Sequence, residues 1–173
     1  AFPAFLAELR TADKTQRDRL LPLAKCESYL DSHYLPRLRE LTRDKNEAVR
    51  LAAIRMMGST HWEFVKPTLL PFLTDKNADV QASVIFALDN HKSELIRDEE
   101  CRGKLTDENP TVRLNMLRIY SHILAKWKDS LWEEEHQKLT AALQPLTQDA
   151  NADVRAAAQE ALKLLSTIEI YKR

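Results

Sequence analysis

The chain has 173 residues, about the length of one domain, and its 26 lysines and arginines are balanced by 26 aspartates and glutamates. That neutrality argues against a dominant phosphate-binding role, because nucleic-acid-binding domains usually carry a clear basic excess. Only two glycines, Gly58 and Gly103, punctuate a sequence rich in Leu, Ala, Glu, Lys and Arg, which excludes a fold built on many tight sheet turns and predicts an all-α protein.

The two cysteines, Cys26 and Cys101, lie far apart and have no metal-like neighbours. A disulfide framework is therefore not expected, and a reducing, intracellular address is: cytoplasmic or cytoskeletal, with the nucleus left open. No apolar run approaches the roughly 18 residues that a membrane span requires, and the start lacks the basic flank and apolar stretch of a signal peptide. A sequence that begins at Ala1 rather than at Met reads as a monomeric domain of a longer protein.

In chain order, residues 1–28 are expected to form an opening helical pair, either a cap or a degenerate repeat. Phe2, Phe5, Leu6 and Leu9 form one stripe of it, and Leu20, Leu21, Leu23 and Ala24 lie near the other. Four helix-turn-helix units follow at roughly 29–59, 60–91, 92–127 and 128–166, and residues 167–173 remain as a tail. The units are marked by a recurring turn. Asp44-Lys45-Asn46, Asp75-Lys76-Asn77, Asp107-Glu108-Asn109 and Asp149-Ala150-Asn151 each open an Asp-x-Asn-x-x-Val-(Arg/Gln) run, with successive aspartates 31, 32 and 42 residues apart. That period is the mark of stacked repeats.

Each Asn stands where a helix N-cap is wanted, its side-chain oxygen able to accept from a free N–H of the first turn. Pro110, immediately after Asn109, suits a first helical position, and Glu47, Asp79 and Asp153 set negative charge against the helix dipole. The helix so begun repeats one apolar template: Val49, Ala53, Met56, Met57; Val80, Val84, Ala87, Leu88; Val112, Met116, Ile119, Tyr120; Val154, Ala158, Ala161, Leu162. Offsets of zero, four, seven and eight place each set on one face. Upstream of each turn lies a first helix, clearest at residues 34–41 and 65–73. Thr60 with Glu63 and Ser130 with Glu133 have the spacing of capping boxes that would open two of these first helices. The first helix of the third unit has to include the densely charged 92–103, interrupted by Gly103. A hairpin of this kind cannot bury its apolar face alone, so the units are expected to stack.

The stretches DKNEAVRLAAIRMM and DANADVRAAAQEAL resemble the HEAT-repeat family, with DKNADVQASVIFAL departing at Gln81 and DENPTVRLNMLRIY at Asn115. The resemblance spans about residues 29–166. It implies a right-handed α–α superhelix of stacked hairpins, and it casts Asp44, Asp75, Asp107, Asp149, Arg50, Arg113 and Arg155 as a ladder paired between adjacent repeats, with Gln81 unable to supply its charge. Function belongs to the site and not to the scaffold. The family's general role implies a non-catalytic scaffold for protein–protein interaction, with second helices lining a concave face on which Arg50, Arg55, Phe86, Arg113 and Arg118 are candidate contacts. A sharper alternative is a TOG-like array that grips tubulin with its intra-repeat turns, here Lys45, Asn46, Lys76, Asn77, Glu108 and Asn109. The usual TOG array is longer, and its first turn tends to carry a Trp beside a basic residue, which Arg10-Thr11-Ala12-Asp13-Lys14 does not supply. A third reading, a HEAT-like nucleic-acid or DNA base-excision domain drawing on Trp62, Trp127, Trp132 and the basic run from Arg113 to Lys128, is opposed by the neutral charge.

No enzyme activity, cofactor or metal is expected. His33, His61, His91, His122 and His136 are scattered; the nearest approach to a ligand cluster, Glu133-Glu134-Glu135-His136, is explained as an acidic first turn. No His-Glu pair of the HEAT-like hydroxylase kind, Gly-rich phosphate loop, Gly-flanked Ser, or Cys with a nearby His occurs. The tryptophans sit near hairpin junctions and are expected to fill gaps between irregular repeats, Trp62 being the one suited to a partly exposed anchor.

Overall fold

The computed structural model describes residues 2–13, 15–16, 35–127 and 130–171. Leu20, Leu21, Leu23, Ala24, Cys26, His33, Tyr34 and Lys128 lie outside the described residues, as do the side chains of Phe2, Phe5 and Leu6. The chain divides into two compact units, Ala1–His91 and Lys92–Arg173. Each is all-α in its layers, built from packed helical hairpins, with one two-residue strand pair among the described residues of the second.

In the first unit α1 (Phe2–Thr11) and α2 (Leu35–Leu41) both pack on α3 (Glu47–Met57), and α3 packs along α5 (Ala78–Asp89). Between α3 and α5 runs α4 (Trp62–Leu69), which tightens into a 3₁₀ turn over Leu70–Thr74. All of Val49, Ala53, Met56, Met57, Val80, Val84, Ala87 and Leu88 are buried, as their spacing predicts. Helix α3 is buried on more than one face, because Ala48, Ala52 and Ile54 are covered as well. Small side chains are what let three helices approach it. The closest approach is at Gly58: a Cβ there would lie 2.5 Å from the carbonyl oxygen of Ala87. Its own carbonyl accepts from Asn90 Nδ2 at 3.1 Å and lies 3.1 Å from His91 Nε2, so the ends of α3 and α5 are joined.

The second unit contains α6 (Lys92–Arg97), α7 (Glu99–Gly103), α8 (Pro110–Ala125), α9 (Glu133–Leu143) and α10 (Ala152–Ser166), with α8 and α10 packed together. Val112, Met116, Ile119, Tyr120, Val154, Ala158 and Ala161 are buried, and Leu162 is half-buried. The charged stretch 92–103 is not one helix but two. Asp98 breaks it, accepting the Cys101 N–H at 3.0 Å and so capping α7, because a short acidic side chain competes with helix continuation for backbone donors. Gly103 closes α7 in open space, with nothing within 4 Å of where a Cβ would stand.

Neither capping box forms. Helix α4 is entered through His61, with no side-chain cap, and Thr60 Oγ1 instead donates to the Met57 carbonyl at 2.8 Å, finishing the helix before it. Helix α9 is entered through Trp132, because Leu131–Trp132 (β1) is held extended by parallel pairing with Ile170–Tyr171 (β2). Leu131 pairs with Ile170 and Trp132 with Tyr171, and the Leu131 N–H donates to the Glu169 carbonyl at 2.9 Å. The segment after α10 is therefore tied down, with Ile168 buried. Among the described residues no helix is long and apolar enough to cross a membrane.

Candidate functional site

The repeated turn is the first place to look, and its chemistry is mostly internal. In all four copies the Asp side chain accepts the N–H of the Asn two residues on: Asp44 from Asn46 at 2.8 Å, Asp75 from Asn77 at 2.8 Å, Asp107 from Asn109 at 3.0 Å and Asp149 from Asn151 at 2.8 Å. The Asn oxygen then caps the next helix, accepting from Val49, from Asp79 and Val80, from Thr111, and from Asp153 and Val154 respectively. An Asx turn feeding an N-cap accounts for the Asp-x-Asn spacing.

The last residue of the motif closes the same turn. Arg50 Nη1 donates to the carbonyls of Asp44 and Lys45 at 2.8 and 3.1 Å, Arg113 Nη1 to those of Asp107 and Glu108 at 2.7 and 3.0 Å, and Arg155 Nη1 to those of Asp149 and Ala150 at 2.7 and 3.0 Å. Gln81 does so with its amide, Nε2 reaching the Asp75 carbonyl at 2.9 Å. A donor is needed here, and a charge is not.

The ladder implied by the family resemblance is seen where Arg113 grips Asp149 with two parallel bonds, Nε to Oδ2 and Nη2 to Oδ1, both 2.8 Å. The side chains of this pair are only 15% and 8% exposed. Arg113, together with the Asn151 N–H, holds the Asp149 carboxyl below the usual aspartate range. A second rung was not expected: Arg10 Nη2 of α1 donates to Asp44 Oδ2 at 2.8 Å, and Asp44 is likewise lowered, first by the Asn46 N–H and then by Arg10. The cap asparagines add cross-links, Asn77 Nδ2 to Glu47 Oε1 at 2.8 Å and Asn46 Nδ2 to the Arg10 carbonyl at 3.2 Å.

What remains outward at the turns is therefore small. Lys45 and Lys76 are exposed on adjoining turns of the first unit; in the second, Glu108 and Asn109 are exposed. On the helices, the first unit brings Arg55 and Phe86 together. The guanidinium stands 5.4 Å over the Phe86 ring, its Nε donates to Ser83 Oγ at 3.2 Å, and burial lowers its pKa. In the second unit Arg118 is exposed, with Nη1 3.4 Å from Asn115 Oδ1.

Of the tryptophans, Trp62 is half-buried against His91, and half-buried Trp127 lies under Lys92 Nζ at 5.4 Å, both as fillers. Trp132 is different. It is 37% exposed, beside Ile170 at 38% and Tyr171 at 55%, and its ring meets that of Tyr171 edge to face, centroids 4.6 Å apart. These rings border an open cleft of about 570 Å³ lined also by Arg97, Glu133, Glu134, Glu135 and Gln137. The alternation Ile168-Glu169-Ile170-Tyr171 was the one sequence signal that could have placed a strand there. Among the described residues no group of three or more His, Cys, Asp or Glu is arranged to hold a metal ion.

No protein-family model matches the chain, and no curated protein does. Solved structures similar to it include a designed armadillo repeat protein in complex with the peptide (KR)4, at 20% identity and TM-score 0.46 over 92% of this chain and 72% of that one. A computationally designed armadillo repeat protein for modular peptide recognition matches at 22% identity and TM-score 0.46 over the same shares. An engineered protein matches at 19% identity and TM-score 0.47 over 95% of this chain and 80% of that one. Likeness at this level says nothing of function.

Proposed function

We propose that the chain is a non-catalytic helical-repeat module whose task is to bind a protein partner through the faces of its second helices. The observation that carries this reading is the pairing of Arg55 with Phe86 on adjoining helices α3 and α5. There a guanidinium lies over an aromatic ring and donates to a hydroxyl, and it closes no turn of its own. A guanidinium fixed in this way loses little freedom on binding, and a planar donor fork is suited to a partner's carboxylate. Arg118 stands at the same place in α8 as Arg55 does in α3, six residues after the motif valine. Arg50 and Arg113 are engaged in closing their own turns. The reading rests on the Arg55–Phe86 pair, with Arg118 as its counterpart by position.

The test is affinity capture from cell extract with the parent protein, Arg55→Glu, Arg118→Glu and a Lys45→Glu, Lys76→Glu double variant, each first shown to be folded. Loss of the same identified proteins from the two arginine variants, with retention by the lysine variant, supports the helix face. Retention by all variants, or capture of nothing by the parent, overturns it. A second reading, a TOG-like domain working from its turn edge, draws on Lys45 and Lys76, exposed on turns cross-linked by Asn77 and Glu47. It names tubulin as partner, and it expects salt-sensitive co-sedimentation with microtubules that the lysine variant abolishes.

A further inference from the structure

The cleft beside the strand pair belongs to neither of those surfaces. Among the described residues exposed large apolar side chains are few, and Trp132, Ile170 and Tyr171 stand together. A clustered aromatic and aliphatic patch on an otherwise polar surface marks a place where something docks. The edge-to-face packing of Trp132 and Tyr171 makes a corner, and aromatic faces attract cations through their negative quadrupole.

The other walls of the cleft carry the matching charge. Three carboxylates, Glu133, Glu134 and Glu135, line it with one guanidinium, Arg97. Arg97 Nε is already paired with Glu135 Oε1 at 3.0 Å, and Glu134 pairs with Lys138, which leaves Glu133 exposed with only a weak contact from Gln137 Nε2 at 3.3 Å. Aromatic faces for an alkyl stem and carboxylates for its charged head are what a lysine or arginine side chain requires.

We propose that this cleft is a docking site for a basic peptide segment of a partner protein, seating one lysine or arginine side chain against Trp132 and Tyr171 with its cationic head toward the exposed Glu133. The inference adds a specific site and charge to the protein-binding reading above and rests on it, but it uses a different surface and so fails separately.

The experiment uses the full chain and two fluorescein-labelled octapeptides, one alternating lysine with glycine and the other glutamate with glycine, with binding read by fluorescence anisotropy at low and high salt. The lysine peptide is expected to bind and the glutamate peptide not to. Trp132→Ala should weaken lysine-peptide binding about tenfold. A Glu133→Gln, Glu134→Gln double variant, which alters only exposed carboxylates, should weaken it several-fold and flatten its salt dependence. Arg55→Glu and Arg118→Glu should leave it unchanged while abolishing any capture through the helix face. Equal binding of both peptides, or equal lysine-peptide binding by the parent and the two cleft variants, overturns the proposal. So does concentration-dependent self-association in sedimentation that Trp132→Ala abolishes, because the occupant is then a second copy of this chain.

Discussion

Gln81 in the first unit and Arg113 in the second stand at the same place in consecutive copies of one turn, one an amide and the other a guanidinium. Both donate to the carbonyl of their own turn aspartate, at 2.9 and 2.7 Å. Arg113 has a second edge left over, which grips Asp149 across 36 residues with two bonds. The turn therefore asks its last residue for a donor, and at Arg113 the remaining edge of the guanidinium joins two hairpins.

The largest expected effect lies outside the turns, at the close approach of α3 and α5 in the first unit. Gly58→Ala should cost about 3 kcal/mol, because its methyl group would meet the backbone of Ala87 rather than a side chain that can rotate away. Chemical denaturation of the variant checks this, and an unchanged midpoint would mean that α3 and α5 do not approach as closely as described. Arg113→Ala comes next at about 2 kcal/mol, since it leaves Asp149 largely buried without its partner. Arg113→Gln sharpens the contrast: it keeps a donor for the turn carbonyl and should cost only about half as much. If the two variants are equally unstable, the carbonyl bond has been misjudged.

Acid should act on the same rung. The folded Asp149 carboxyl titrates below its ordinary value of 3.8. Its contribution is therefore complete above that value and is lost as the pH falls through the lowered folded pKa. Between about pH 7 and about pH 2 the parent should lose more stability than Arg113→Gln, by thermal melts in matched salt. Smallest, and opposite in sign, is Gly103→Ala. With open space around it and an ordinary helical backbone, the change should stabilise the second unit by about 0.5 kcal/mol.

The repeat was legible because its chemistry is local. Asp-x-Asn engages backbone groups within three residues of itself, and helical period alone assigns the buried template from Val49 to Ala161. Local patterns also misled. Thr60 and Glu63 have capping-box spacing, but Thr60 is already committed to the Met57 carbonyl, and α4 starts one residue later. The break at Asp98 was hidden because an aspartate inside a charged run looks like surface until its cap bond is seen. The rung from Arg10 to Asp44 and the pairing of Leu131 with Ile170 join segments more than thirty residues apart, which no local window reports. For the same reason Trp132 read as a filler at a hairpin junction, and the three glutamates after it as charge set against a helix dipole. The cleft exists only once Tyr171 is brought back beside them.

The strand pair has a mechanical meaning as well. Tension applied to the chain just after Tyr171 is borne first by β2, which lies between the point of pulling and α10. Two residues of parallel ladder resist little, so their bonds yield before the buried face of α10, anchored by Val154, Ala158, Ala161 and Leu165, feels the load. The pair behaves as a fuse. Under strain the aromatic corner is expected to come apart while the helices stay stacked, and the docking cleft proposed at it would open before the unit unfolds.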